Sequence, residues 1–317
     1  MSLLLKVIPL PLNSEQSQPT VIVGSVAYDT IITPKATGER LLGGSASYAA
    51  LAASYYTKCR LVGIVGKDFN PAFIEQFKNH NICLEGLQKD EESQTFFWKG
   101  KYSADGNQRD TLDLQLNIFE TFEPHLPESY RQTPYALLGN IRPALQHKVC
   151  DQLEGTPFII ADTIDHWINT EREAFLALFA RINCLVINDS EAELLTGENN
   201  IINAGNKLIE LGLESLIIKK GAHGACLFHP QGLFMLPAYP VTELADPTGA
   251  GDSFAGALLG YLAAKHKTDF VTLKQAMLYA TATASLTVEA LSCDRLESAG
   301  AAAIQKRVEE LKAIISL

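Results

Sequence analysis

The sequence predicts an α/β fold, with a mainly parallel central sheet, helices on both faces and a small second β-sheet. Three observations lead there. From residue 135 onward, short apolar runs of strand length alternate with segments able to form helices, the order that a covered parallel sheet requires. Two strand-like segments, 30–42 and 94–119, fit that alternation badly and resemble each other in kind. The 317 residues, 47% of them hydrophobic, supply enough apolar surface for one α/β domain spanning 1–317.

The elements follow in order. Residues 13–20 are polar and read as an extended leader, and 21–23 is a β-branched run closed by Gly24, a buried strand. Residues 30–42 mix β-branched residues with turn formers, as a small hairpin does. Residues 45–56 are Ala-rich with a helical period, 60–65 is a strand, and 71–79 is a helix opened by Pro71. The aromatic run 94–102 reads as a strand, with 110–119 as its partner. Strands at 135–138, 158–161, 184–187 and 215–219 build the parallel sheet, and a hairpin at 225–228 and 233–236 turns at His229-Pro230-Gln231-Gly232. Long helices close the chain.

Charge and composition narrow the function. With 26 Lys and Arg against 36 Asp and Glu, the net charge is −10, which argues against a nucleic-acid backbone or an anionic membrane as partner. The six cysteines are scattered without a C-x-x-C pair, and the seven histidines form no metal-binding spacing. These read as reduced thiols of a cytoplasmic protein. No apolar run reaches membrane-spanning length, and residues 1–12 lack the cleavage site of a signal peptide.

The chemistry concentrates at Asp246-Pro247-Thr248-Gly249-Ala250-Gly251-Asp252, where a loop becomes an apolar helix. Gly249 and Gly251 let the backbone turn sharply. The first amides of a helix lack internal partners, so Gly249, Ala250 and Gly251 can offer N–H groups to an anion, with the Asp252 carboxylate beside it. An anion cradle next to a base is what phosphoryl transfer to an alcohol needs. The plainer account of Asp252 is a complement to the helix dipole. No G-x-x-x-x-G-K-[ST] motif occurs, and Phe254 stands where G-x-G-x-x-G needs its third glycine.

This segment resembles the C-terminal signature D-T-x-G-A-G-D of the ribokinase (PfkB) family of carbohydrate and nucleoside kinases, with Pro247 at the second position. The order of the other motifs supports the resemblance over essentially all of the chain after residue 20. Leu42-Gly43-Gly44-Ser45-Ala46-Ser47-Tyr48 is similar to the N-terminal glycine signature, with Tyr48 where the family often has Asn. Val23-Gly24-Ser25-Val26-Ala27-Tyr28-Asp29 places an Asp where the family binds two neighbouring sugar hydroxyls; on its own, Asp29 also reads as a turn residue. Asn188-Asp189-Ser190-Glu191 matches N-x-x-E, and equally reads as a helix N-cap with acids in the first turn. Lys219-Lys220-Gly221-Ala222-His223-Gly224 resembles the nucleotide loop.

The resemblance implies a set of roles. Asp252 is the catalytic base, and Gly249, Ala250 and Gly251 form the anion hole. Asp29, Gly43, Gly44 and Tyr48 bind the acceptor, together with Asn140 and Asp162 at strand C-termini, where open α/β sheets bind ligands. Asn188, Lys219, Gly221, Gly224 and Thr248 hold the nucleotide. Glu191 orients water on Mg²⁺, and Asp246 occupies the position of a monovalent-cation site, for K⁺. The segments 30–42 and 94–119 form a lid. The expected reaction moves the γ-phosphate of ATP to a hydroxyl, a CH₂OH, of a sugar; a nucleoside is the alternative, and a sensor without turnover the third reading. A phosphorylated acceptor would call on Lys99, Lys101 or Arg109. The expected assembly is a monomer or a homodimer, and the helix N-terminus is expected to lower the pKa of Asp252.

Overall fold

The computed structural model describes residues 17–103 and 109–316. The apolar stretch 1–12 and most of the expected leader lie outside the described residues.

The strands are β1 (Thr20–Val23), β2 (Ala27–Ile32), β3 (Thr37–Gly43), β4 (Cys59–Val65), β5 (Ile82–Lys89), β6 (Phe96–Tyr102) and β7 (Arg109–Gln115). They continue with β8 (Tyr135–Leu138), β9 (Phe158–Ala161), β10 (Cys184–Asn188), β11 (Ser215–Lys219), β12 (Ala225–His229) and β13 (Gly232–Leu236). Nine of them form the main sheet in the order β13-β12-β11-β10-β9-β8-β1-β4-β5. Every pair from β11 across to β5 is parallel; β12 and β13 add an antiparallel hairpin at one edge. The inner strands β1 and β8 to β11 are buried on both faces, which is why they read as short unbroken apolar runs. In β1, Val21 and Val23 enter the core on one side and Ile22 the core on the other.

The chain order reverses between β1 and β8. From β1 it runs outward to β4 and β5, then returns to β8 on the other flank and proceeds to β11. The C-terminal ends of β1 and β8 therefore flank a crevice of the kind that holds ligands in open α/β sheets.

The two segments that fitted the alternation badly do leave it. β3, β2, β6 and β7, in that order, form a separate four-stranded sheet. β2 pairs with β3 antiparallel and with β6 parallel, and β6 pairs with β7 antiparallel. Three details differ from the sequence reading. β2 begins at Ala27, so Asp29 lies inside a strand rather than in a turn; the chain leaves β1 at Gly24 and re-enters extended structure within three residues. β5 was not foreseen, because its mixed burial gives it neither a clean alternation nor an apolar run. Residues 117–119, taken as the end of a strand, belong to a 3₁₀ turn, Asn117–Thr121.

Candidate active site

Two helices bring the two glycine motifs together. The helix Ser45–Ser54 is buried along its whole length, and Ala250–Lys265 is buried from Ser253 to Ala263. Helices apolar all round belong inside a core. They pack side by side in the same direction at backbone contact: a Cβ on Gly256 would lie 2.1 Å from the Ala49 carbonyl oxygen, and one on Gly260 would lie 3.0 Å from that of Ala53. At their N-terminal ends, a Cβ on Gly249 would fall 2.3 Å from the Tyr48 ring. The 42–48 and 246–252 motifs, two hundred residues apart in sequence, thus open at the same end of the same helix pair.

On the first side stands Asp29, 5% exposed. A Cβ on Gly43 would overlap its carboxyl group, 2.1 Å from the carbon, so the glycine makes room for the acid. Burial pushes the Asp29 carboxyl up to about 8, helped by the charges of Asp246 and Asp252; a backbone hydrogen bond from Gly44 and the Arg109 charge act in the opposite direction. Gly44 has φ +92, and its missing Cβ lets it sit against the Ser25 carbonyl. Tyr48 is 1% exposed: its ring runs beneath Gly249, and its buried hydroxyl has no hydrogen-bond partner among the described residues.

On the second side, Gly249 takes the left-handed conformation (φ +71) that starts the helix, whose first turn has no side-chain cap. The Ala250 N–H reaches the Pro247 carbonyl at a long 3.3 Å. Asp246 is fully buried, and Thr248 donates its N–H to Asp246 Oδ1 at 2.9 Å. The Thr248 hydroxyl donates to Tyr102 Oη at 3.0 Å, tying the turn to β6 of the small sheet.

The expected depression of Asp252 does not hold. Burial raises it, the Asp162 charge adds to the rise, and Lys219 and Arg109 only partly offset this, leaving it at about 6. A helix dipole contributes at most about 2 kcal/mol in favourable geometry. In a crevice with a second acid nearby, desolvation and like charge win.

The ends of β8 to β11 supply the remaining candidates. Asn140 accepts the Trp167 indole N–H at 2.9 Å on Oδ1, so what it can offer a ligand is its NH₂. Asp162 is buried, and Lys219 Nζ stands 3.3 Å from its Oδ2. The same ammonium sits against the anion turn, 2.9 Å from where a Cβ of residue 251 would be; Gly251 is what lets it approach. Asn188 and Glu191 close a reciprocal capping box at 2.8 Å each way, so the N-cap account of this motif is realised. Glu191 is nonetheless raised to about 8, first by burial and then by Asp162. Gly221 and Gly224 flank a short 3₁₀ turn with φ +52 and +88. Gly224 packs against the Leu236 carbonyl and closes the β12–β13 hairpin, while Gly221 faces open space.

Two further residues reach the site: Arg109, foreseen only for a phosphorylated acceptor, and Ser292, not foreseen at all. Arg109 begins β7, its guanidinium carbon 5.4 Å from the Trp98 ring centroid, and its charge pulls down both Asp29 and Asp252. It lies on the Tyr102 face of the small sheet because the two residues are register partners. Ser292 is hydrogen-bonded to both motifs, at Asp246 and at Leu42. Neither sits in a recognisable pattern.

The arrangement is an anion-accepting helix start beside a half-buried acid, faced by a second buried acid, with a lysine and an arginine between the negative groups. That arrangement agrees with the outcome of comparison with known proteins: the profile described as "pfkB family carbohydrate kinase" matches residues 18–299. The chain belongs to the pfkB family. Members are phosphotransferases acting on hydroxyl groups, and this chain is a small-molecule kinase of the sugar and nucleoside kind. Its relatives include the cytidine kinase of Thermococcus kodakarensis, 26% identical over 76% of this chain and 87% of that protein. The aminoimidazole riboside kinase of Salmonella typhimurium is also 26% identical, over 85% and 88%. Among solved structures, the Burkholderia thailandensis nucleoside kinase in complex with inosine superimposes with a TM-score of 0.76 at 21% identity, covering 93% of this chain and 99% of that one. The Arabidopsis thaliana ribokinase complexed with ribose and ATP gives 0.75 at 21%, covering 92% and 99%. At those identities the likeness establishes the pfkB fold. Among the described residues, no helix is long and apolar enough to cross a membrane.

Proposed function

We propose that this pfkB protein transfers the γ-phosphoryl group of ATP to the CH₂OH of a sugar, with Asp252 as base and Asp29 binding the acceptor. The observation that carries it is the pairing of the two glycine-opened helices, which sets Asp29 and Asp252 within electrostatic reach of each other on either side of the anion turn. Asp29 hydrogen-bonds two neighbouring hydroxyls, and Gly43 and Gly44 let the sugar approach the backbone. Asp252 takes the proton of the acceptor hydroxyl as its oxygen attacks the γ-phosphorus in line, and ADP leaves. With its pKa at about 6 rather than below 4, Asp252 is ionised at neutral pH and a better base than its helix position alone implies.

Lys219 offsets phosphate charge, and the 249–251 amides hold the anion as it develops. Thr248, Asn188 and the 221–224 turn complete the nucleotide side. Among the described residues no group of three or more His, Cys, Asp or Glu converges to hold a metal alone, which suits an ion that keeps its water and sits on the phosphates. Glu191 and Asp162 are the acids placed to orient that water. Bound Mg²⁺ would supply positive charge that offsets the phosphates. Asp246 is the candidate for K⁺; both its carboxylate oxygens already accept backbone N–H groups, so a cation there would share them. The four-stranded sheet, carrying Asp29, Tyr102 and Arg109, acts as the lid. The protein works in the cytoplasm as one 1–317 unit, monomeric or dimeric through that sheet.

A nucleoside is the second reading, favoured by the half-buried indole of Trp98 on the Asp29 face of the lid and by the cytidine and aminoimidazole riboside relatives. The test is ADP release from Mg-ATP against free sugars, phosphosugars and nucleosides, with Asp252→Asn in parallel. Loss of about two to four orders of magnitude in the variant is expected for a positioned base. Near-normal turnover by Asp252→Asn would sink the assignment.

A further inference from the structure

Ser292 lies in the turn after the helix Phe270–Thr287 and is 2% exposed. Its backbone is left-handed, with φ +54. That conformation is unfavourable for a non-glycine residue, so something must hold it. Two bonds do. Its N–H donates to Asp246 Oδ2 at 2.9 Å, and its hydroxyl donates to the carbonyl of Leu42. The other oxygen of Asp246 accepts from Thr248 N–H at 2.9 Å. A continuous hydrogen-bonded chain therefore runs from the anion turn through Asp246 and Ser292 to the last residues of β3, next to Gly43 and Gly44.

The surrounding contacts hold the turn against both partners. The amides of Ala245 and Asp246 both donate to the Val288 carbonyl, at 2.9 and 3.3 Å. Leu291 leans on β3, with its Cδ1 3.0 Å from where a Cβ of Gly38 would be. Residues 288–292 thus touch the phosphate side and the acceptor side of the crevice and are bonded to each.

We propose that Ser292 is a positioning residue that couples the anion turn to the acceptor strand β3, so that seating a nucleotide on 248–252 orders 37–43. It acts through Asp246 and Leu42 and touches no reacting atom. This rests on the nucleotide reading of the turn given above.

Hydrogen–deuterium exchange of the full chain, with and without the ATP analogue AMP-PNP and Mg²⁺, tests it without knowledge of the acceptor. In the wild type, AMP-PNP should protect both 246–252 and 37–43, the latter slowed by about 5- to 150-fold, the usual range of an intersite coupling. Ser292→Gly removes the hydroxyl while suiting the left-handed backbone, so it should melt near the wild-type temperature. In that variant protection should stay at 246–252 and vanish from 37–43. Protection of 246–252 alone in the wild type overturns the coupling, as does protection of both segments in Ser292→Gly. Should Ser292→Gly not fold, Ser292→Ala, which also lacks the hydroxyl, is read by the same criteria. Absence of protection at 246–252 overturns the nucleotide reading, and the coupling with it.

Discussion

Gly249 rests on the face of Tyr48, so close that a Cβ at position 249 would come within 2.3 Å of ring carbons. Tyr48 is buried and cannot swing aside, and Gly249 already needs φ +71. Gly249→Ala therefore meets two separate penalties, roughly 1–2 kcal/mol for the left-handed backbone and roughly 1–3 kcal/mol for overpacking. Thermal melting should drop by several degrees, and ADP release should fall further than stability does, because the turn itself shifts. Adding Tyr48→Leu should restore part of the melting temperature. An alanine variant with unchanged melting would refute the contact.

Asp252, as the proposed base, should set the acid limb of activity. Its folded pKa is raised to about 6, and the proton-accepting form is the ionised one, so kcat/KM should rise with pH and level off above that value. A rate profile from pH 5 to pH 8 checks this. A limb near pH 4 would mean that burial of Asp252 is relieved in solution.

Asp29 should make the fold less stable as pH rises. In the unfolded chain it ionises near 3.8; in the folded protein it holds its proton to about 8. Between those values the native state binds the extra proton, so stability falls with increasing pH and the loss is complete above the folded pKa. Asp29→Asn removes this contribution. Denaturant melts of variant and wild type should diverge progressively from pH 4 to pH 8, with the variant gaining, while its acceptor turnover collapses.

Lys219 lies between acids it partly neutralises. Its ammonium is 3.3 Å from Asp162, with side chains only 16% and 8% exposed. Lys219→Met strands Asp162 and Glu191 without their cation, and losing one partner of a buried pair typically costs about 3–5 kcal/mol. Lys219→Met combined with Asp162→Asn should recover much of that stability without recovering the KM for ATP. Recovery of both would show that the lysine serves the fold alone.

What the sequence carried and what it hid divide along physical lines. Strands buried on both faces announce themselves as apolar runs, and β8 to β11 were bounded to within a residue. Glycine turns opening helices are equally visible, because glycine adopts φ values such as those of Gly44 and Gly249 without the steric cost other residues meet there. β5 was hidden because its residues are half-covered in no regular pattern. Asp29 looked like a turn residue because a strand of the second sheet follows β1 after only three residues. The pKa of Asp252 was misjudged because local sequence shows the helix it starts but not Asp162, ninety residues earlier and beside it in space. Arg109 and Ser292 act through tertiary contact alone, and no spacing advertises that.

The two buried helices meet through Gly256 against Ala49 and Gly260 against Ala53, main chain on main chain. At those two points no side chain separates the backbones, so the spacing of the two halves of the crevice is a fixed gauge. Acceptor preference can then drift through replacements in the outlying four-stranded sheet, while the geometry of phosphoryl transfer is inherited unaltered from the core.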